Sequence, residues 1–291
     1  MAARALMVRS ALRMALPLTT TLRWRARRLS ASVVTVFAIA LATAASAAAQ
    51  WVNLPLPGTP RTPDGKPNLT APAPRTPDGK PDLSGIWMID RPPGAPSGTG
   101  LTGLEYYVPP AFVFPFRPAA EALYKHRRFD LLGSGRPSDH CLPHSVPDAM
   151  LPASPFKIVQ SPGLTIVLFE AFTHYRQIFT DGRQLPTDPN PAWFGYSIGM
   201  WDGNTFVVDS RGFNDKTWLD DSGHPHTDAL HTIERFGRRD FGHLDMEVTI
   251  DDPKAYTKPW SVTIHFALVP DTELIENICE NEKDSAHLAG K

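Results

Sequence analysis

Between Gly223 and Glu234 the chain reads GHPHTDALHTIE, which sets His224, His226, His231 and Glu234 within eleven residues. Neutral imidazole is a common ligand for zinc, iron or copper, and three ring nitrogens with one carboxylate are enough for such a site. His224 and His226, separated by one residue, project to one side if that segment is extended. The proline between them equally suits a loop whose histidines bond the surrounding backbone. Without a metal, a histidine beside an acid is suited to general acid/base work because its pKa lies near neutrality. His224, His226, His231 or His243 could then pair with Asp215, Asp220, Glu234 or Asp240. Gly195-Tyr-Ser197-Ile-Gly199 fits the spacing of a nucleophile elbow, but an elbow needs a strand turning sharply into a helix. Here Ser197 falls within an expected strand that ends in the Asp202-Gly203 turn, so it is not read as a nucleophile.

Aromatic residues crowd the same half of the chain. Trp201, Phe213, Trp218, Tyr256 and Trp260 suit a core, and also suit the mouth of a barrel that holds a small, largely apolar molecule. Three functional classes are compatible with these residues: a barrel binding such a molecule with Gly212 to Trp260 as one rim, an enzyme built on the histidine cluster with hydrolytic or isomerase-type chemistry, and an envelope-associated structural protein without a pocket.

From Phe156 onward, short apolar runs separated by turn residues every eight to twelve positions predict consecutive strands. Runs at 164–169, 175–179, 196–201, 205–211, 230–238, 243–250 and 262–268 qualify, with Thr180 to Arg183 closing the pair formed by the first two and Leu274 to Cys279 supplying a final strand. Asp202-Gly203 is a hairpin signal because Asp-Gly accepts the positive φ that a tight turn demands. The expected fold is all-β: an antiparallel meander forming a closed or nearly closed barrel, which removes exposed edges. The barrel domain is placed at 83–291 with an irregular insertion at 91–155, which contains one short helix over 118–129 and either packs on the domain or acts as a lid.

The first 49 residues read as a cleavable signal peptide: seven arginines and no acid, an apolar run from Ala31 to Ala42, then Ala45-Ser-Ala47. An Arg27-Arg28 pair leaves the general secretory and twin-arginine routes both open. Removing this leader takes seven of the 29 basic residues and none of the 30 acidic ones, leaving 22 against 30, a formal charge of −8. A chain this acidic, without a Lys/Arg block, does not suit nucleic acid or an anionic membrane surface, and no stable membrane span is expected after cleavage. A periplasmic or secreted location makes Cys141 and Cys279 an expected disulfide. Residues 50–82 form a proline-rich linker or strap in which PRTPDGKPNL at 60–69 recurs as PRTPDGKPDL at 74–83.

The segment PRTPDGKPDLSGIW ending at Trp87, together with PFKIVQ at 155–160, GFND at 212–215, GHPH at 223–226 and TIDDPKAYTKPW at 249–260, resembles a family of secreted hypothetical proteins from acidobacteria and related soil bacteria. The likeness covers nearly all of the mature chain; it implies export and a coherent fold, and carries over no catalytic residue. Gly85-Ile-Trp87 is also similar to the Gly-x-Trp that opens lipocalin-type barrels.

Overall fold

The alternation of residue types along each run decides which way the strands face. In β8 (His243–Asp251), Leu244, Met246, Val248 and Ile250 are buried while Asp245, Glu247 and Thr249 point away, and β9 (Trp260–Leu268) buries Trp260, Val262, Ile264, Phe266 and Leu268 in the same way. The other strands are β1 (Gly85–Asp90), β2 (Phe156–Ser161), β3 (Leu164–Phe169), β4 (Tyr175–Phe179), β5 (Tyr196–Asp202), β6 (Thr205–Arg211) and β7 (His231–Arg238). They pair in chain order, and β9 returns to β1, so the sheet is a closed barrel. These features come from a computed structural model, which describes residues 54–95, 103–131, 135–277 and 279. The signal peptide expected at 1–49 lies outside the described residues.

One seam departs from the antiparallel meander: β4 and β5 run parallel, joined only at Ile178↔Ser197 and Phe179↔Ile198. Nine strands around a ring cannot all alternate in direction, so at least one neighbouring pair must be parallel. Thr180 to Arg183 therefore opens a crossover to the far end of the barrel and does not close a hairpin. Leu274 to Cys279 is likewise not a tenth strand, because β9 already occupies the edge of β1. That segment lies outside the barrel, with one bridge between Asn277 and Ala171, and ends in the Cys141–Cys279 disulfide.

Strand direction sorts the connections between two ends. At one end lie the tight turns after β2, β5 and β7, covered by the proline-rich segment. Its two repeats fold alike, each as a small hairpin with a bridge at Arg61↔Pro67 or Arg75↔Pro81. Leu69 and Ala71 accept backbone bonds from Gly242 and Phe241 at 2.7 Å, so residues 54–82 are a strap packed on the barrel and not a free linker. Gly85 has φ +147, and a Cβ there would sit 2.7 Å from Leu268, so the residue that opens β1 must lack a side chain. Two positions on, Trp87 is fully buried beneath the Arg238 guanidinium at 4.9 Å. Arg238 is held by the carbonyls of Asp82, Ser84, Asp240 and Phe241.

At the other end gather the connections 91–155, 170–174, 212–230 and 252–259, while 180–195 crosses from one end to the other. Among the described residues no helix is long and apolar enough to cross a membrane. The barrel interior is filled: a void of about 10 Å³ lies among Leu83, Ile158, Thr165, Val167, Ile178, Phe206 and Phe236, the space of about one water. Toward the loop end the filling turns polar. Arg176 meets Glu234 with two bonds, 2.9 and 2.5 Å, and also donates to Ser197 and Ser210, with both charged side chains at or below 1% exposure.

Candidate functional site

The loop from Gly212 to Leu230 leaves β6 and turns tightly at Asp220 to Gly223, where the Gly223 N–H reaches the Asp220 carbonyl at 3.1 Å. That turn brings His224 back over Asp220. The Asp220 carboxylate accepts the His224 backbone N–H at 3.0 Å, the Leu104 N–H at 2.6 Å and His224 Nδ1 at 2.6 Å. Burial alone would push the Asp220 carboxyl up, but His224 and the two backbone donors hold it below the usual carboxylate range. An ionised carboxylate only accepts, so Nδ1 carries a proton. The Nε2 of the same ring is buried and has no hydrogen-bond partner.

The insertion builds a cage around this ring. Phe114 lies 4.3 Å and Phe116 5.6 Å from the imidazole, and Tyr124, from helix α1 (Pro118–Lys125), lies at 4.4 Å. Trp260 of β9 approaches at 6.2 Å, and Tyr256 stacks on Phe116 at 5.4 Å. The lid is fastened by two backbone bonds of 2.8 Å, Arg117 N–H to Ala255 and Thr257 N–H to Pro115. Burial pushes the Tyr124 phenol up to about 12, so it stays neutral.

Polar groups border the cage. Glu105 takes Arg128 at 2.7 Å and the Ser222 hydroxyl at 2.9 Å. Arg127 lies over the Trp218 ring at 4.5 Å and donates to the Gly223 carbonyl at 3.5 Å. A second buried pair, His144 Nδ1 with Asp148 at 2.5 Å, stands at the same end of the barrel. Beside it, Arg136 reaches both Asp139 and Asp221.

The histidine and glutamate quartet expected from the sequence does not assemble. His226 is satisfied at both nitrogens, donating from Nδ1 to the Thr227 carbonyl at 3.1 Å and accepting the Thr217 hydroxyl at 2.6 Å, and burial pushes its pKa down. His231 faces outward on β7, bonded to Asp209 and Arg211, whereas Glu234, three residues on, faces the barrel interior. His243 sits at the strap end with Asp240, and Asp215 is exposed. Among the described residues one group, Glu105, Asp220 and His224, brings possible ligand atoms within 4.8 Å of one another. The Asp220 oxygens are engaged by His224 and Leu104, and Glu105 Oε1 by Arg128 and Ser222, whereas Glu105 Oε2, like His224 Nε2, is buried with no hydrogen-bond partner. A zinc, iron or copper ion there would meet two free ligand atoms, Glu105 Oε2 and His224 Nε2, and would take an Asp220 oxygen only by displacing His224 or Leu104.

Of the expected aromatics, Tyr256 and Trp260 belong to the His224 cage and Trp218 to its border. Phe213 is core, 6.4 Å from His226, and Trp201 packs on Phe206 near the Asp202-Gly203 turn at the opposite end. Ser197 is locked into the interior network by Arg176 and Ser210 and has no histidine on it. Glu105, Phe114, Phe116, Tyr124, Arg127 and Arg128 were not expected, although Phe112, Phe114 and Phe116 alternate in the sequence as an extended apolar face does. A cavity of about 470 Å³ lies apart from the cage, beside the β4–β5 seam, lined by residues including His174, Tyr175, Trp193 and Tyr196. Two of its lining side chains, Arg176 and Ser197, are already bound to each other.

Comparison with models of known families, with characterised proteins and with solved structures finds no match.

Proposed function

We propose that this protein works outside the cytoplasm, binds a small, largely apolar molecule at the loop end of its barrel, and acts on it with His224 as general base. The observation that carries this reading is the buried, unpartnered Nε2 of His224 in an aromatic cage, with Asp220 behind the ring. A buried polar atom without a partner costs about 1–3 kcal/mol, so it calls for a use. Asp220 fixes the tautomer and ring orientation and stabilises the imidazolium formed when Nε2 accepts a proton. The paired cysteines support the location, since disulfides persist in oxidising compartments. Because the barrel is filled, the ligand enters by displacing the Phe114 to Tyr124 lid.

A nitrobenzisoxazole tests this without knowledge of the natural substrate. Nε2 takes the ring C–H proton, that bonding pair completes a nitrile as the N–O bond breaks, and the oxygen leaves as a coloured cyano-nitrophenolate. The mature protein should accelerate the reaction, and His224→Gln should lose on the order of 10²- to 10⁴-fold. Equal rates for folded wild type and variant would remove His224 as an accessible base.

A further inference from the structure

We infer that the molecule taken by this site carries an anionic group, a carboxylate or its equivalent on an apolar body, and that Arg127 is the residue that pairs with it. The inference rests on the reading of the loop end as a ligand site and adds the chemical class of the ligand.

Helix α1 carries the exposed pair Lys125–Glu121 on its outer face, and beyond its C-terminus the chain makes a single π-type turn at His126–Asp130. That turn brings two consecutive arginines, Arg127 and Arg128, toward the 220–224 loop. Arg128 finds Glu105 at 2.7 Å. Arg127 finds no carboxylate among the described residues.

Other inward-turned arginines show what satisfaction looks like in this protein. Arg176 has Glu234, Arg136 has Asp139 and Asp221, and Arg238, which also lacks a carboxylate, is held by four backbone carbonyls. A guanidinium offers five N–H donors in a rigid fork. Arg127 uses one of them in one long bond, 3.5 Å to the Gly223 carbonyl, and otherwise rests over the face of Trp218. Burial lowers its pKa to about 10, so it remains a cation at neutral pH. The acid nearest in sequence to its contact, Asp220, is committed to His224 and Leu104.

The Arg127 stem also lies close to the imidazole. A Cβ added at Gly223 would come within 2.6 Å of Arg127 Cβ, and φ at Gly223 is +99. The next residue is His224, and Tyr124, three residues before Arg127, touches the His224 ring. The Arg127 stem thus packs against the residue that precedes His224, and Tyr124 on the same stretch of chain packs against the His224 ring. A planar fork is the group that grips a carboxylate with two parallel bonds, and an apolar body beside it would replace the lid aromatics over His224.

The test compares naphthoate with naphthamide, which share one apolar body and differ in charge. Both are titrated by calorimetry into the mature protein and into Arg127→Met and Arg127→Lys, with circular dichroism confirming the fold of each. Wild type should bind naphthoate at least tenfold more tightly than naphthamide. Arg127→Met, which keeps the stem over Trp218, should weaken naphthoate about 10- to 100-fold and leave naphthamide unchanged. Arg127→Lys keeps the charge but not the fork and should fall between them, which keeps the test decisive if Arg127→Met fails to fold. If wild type binds both probes equally, or the preference survives in Arg127→Met, the anionic class falls while the ligand site stands. If folded wild type binds neither probe, the ligand site falls with it.

Discussion

Removing one partner of the Arg176–Glu234 pair is the sharpest stability test, because Glu234 is fully buried and its oxygens rely on Arg176. In Arg176→Met, Glu234 either stays ionised without a counter-ion or takes up a proton. An unfolded glutamate ionises near ~4.3, so holding the folded one protonated at pH 7 costs about 1.4 kcal/mol for each of nearly three pH units, on the order of 4 kcal/mol. That agrees with the ~3–5 kcal/mol usual for breaking a buried pair. Glu234→Leu strands Arg176 instead, although Ser197 and Ser210 still accept from it. The double variant Arg176→Met/Glu234→Leu removes both charges and should recover most of the loss. Urea unfolding of the oxidised mature protein at pH 7 and pH 5 gives the cycle. We expect single-variant losses of about 3–5 kcal/mol, a coupling of several kcal/mol, and an Arg176→Met deficit that shrinks by about 1.4 kcal/mol per pH unit on acidification. Additive single losses below ~1 kcal/mol, or a deficit independent of pH, would refute the buried pair and return Glu234 to the candidate site.

Gly85→Ala should destabilise by about 1–3 kcal/mol in the same assay, through the 2.7 Å approach to Leu268 and the positive φ together. The Cys141→Ser/Cys279→Ser variant frees a loop of 138 residues and should lose roughly 2–5 kcal/mol, read as a lower urea midpoint that reductant no longer shifts. His226 and His144 should give opposite pH slopes. Burial lowers the His226 pKa, so its contribution is complete above the unfolded value of ~6.5 and is lost as pH falls below it, at up to ~1.4 kcal/mol per unit. For His144 burial alone would lower the pKa, but Asp148 raises it overall, so its contribution is complete below ~6.5 and is lost as pH rises through the raised value. His226→Gln should therefore flatten the acid side of the stability profile between pH 6.5 and 5, and His144→Gln should remove a decline in stability as pH rises above 6.5.

The strands were legible because their signal is local. β3, β4 and β6 begin and end where the apolar runs do, and the alternation in β8 and β9 names their buried faces without reference to any neighbour. Two cysteines, with the export expected from the leader, sufficed for the disulfide. The parallel seam was not legible, since nothing in Thr180 to Gly195 distinguishes a hairpin turn from a crossover; the parity of nine strands decides it, and that is a property of the closed ring. The site failed for a related reason. Proximity in sequence suggested that His224, His226, His231 and Glu234 act together, but the loop ends at β7, where the period of two sends His231 outward and Glu234 inward. Of the candidate acids, Asp220 is the one that meets His224, because a turn of four residues folds it back. The lid residues lie about a hundred positions upstream, and tertiary contacts such as those of Phe116 with Tyr256 and Arg117 with Ala255 bring them to the ring.

The filled barrel also bears on how the loop end must work. A lipocalin-like barrel with an empty interior could take a ligand through its mouth with little rearrangement. Here the interior below the mouth is occupied by the Arg176–Glu234 layer, and a ligand reaching it would have to break a pair whose separation costs several kcal/mol. Two backbone bonds between 115–117 and 255–257 and two side-chain bonds, Arg117 Nε to the Pro253 carbonyl and the Thr257 hydroxyl to the Pro115 carbonyl, each worth about 0.5–1.5 kcal/mol net, oppose opening of the lid over His224 together with a set of half-buried rings. Of the two routes into this end of the molecule, lifting the lid is the one that leaves the Arg176–Glu234 pair intact, and it leads to the unpartnered Nε2. It also sets a limit on affinity: if the lid is open in only a small fraction of molecules, the observed dissociation constant exceeds the intrinsic one by the inverse of that fraction. An anionic ligand paired with Arg127 would make up part of that cost, since the guanidinium gains a partner in the open state that the closed state lacks. The spare cation and the movable lid are thus two parts of one arrangement, in which the charge on the ligand favours the opening that exposes His224.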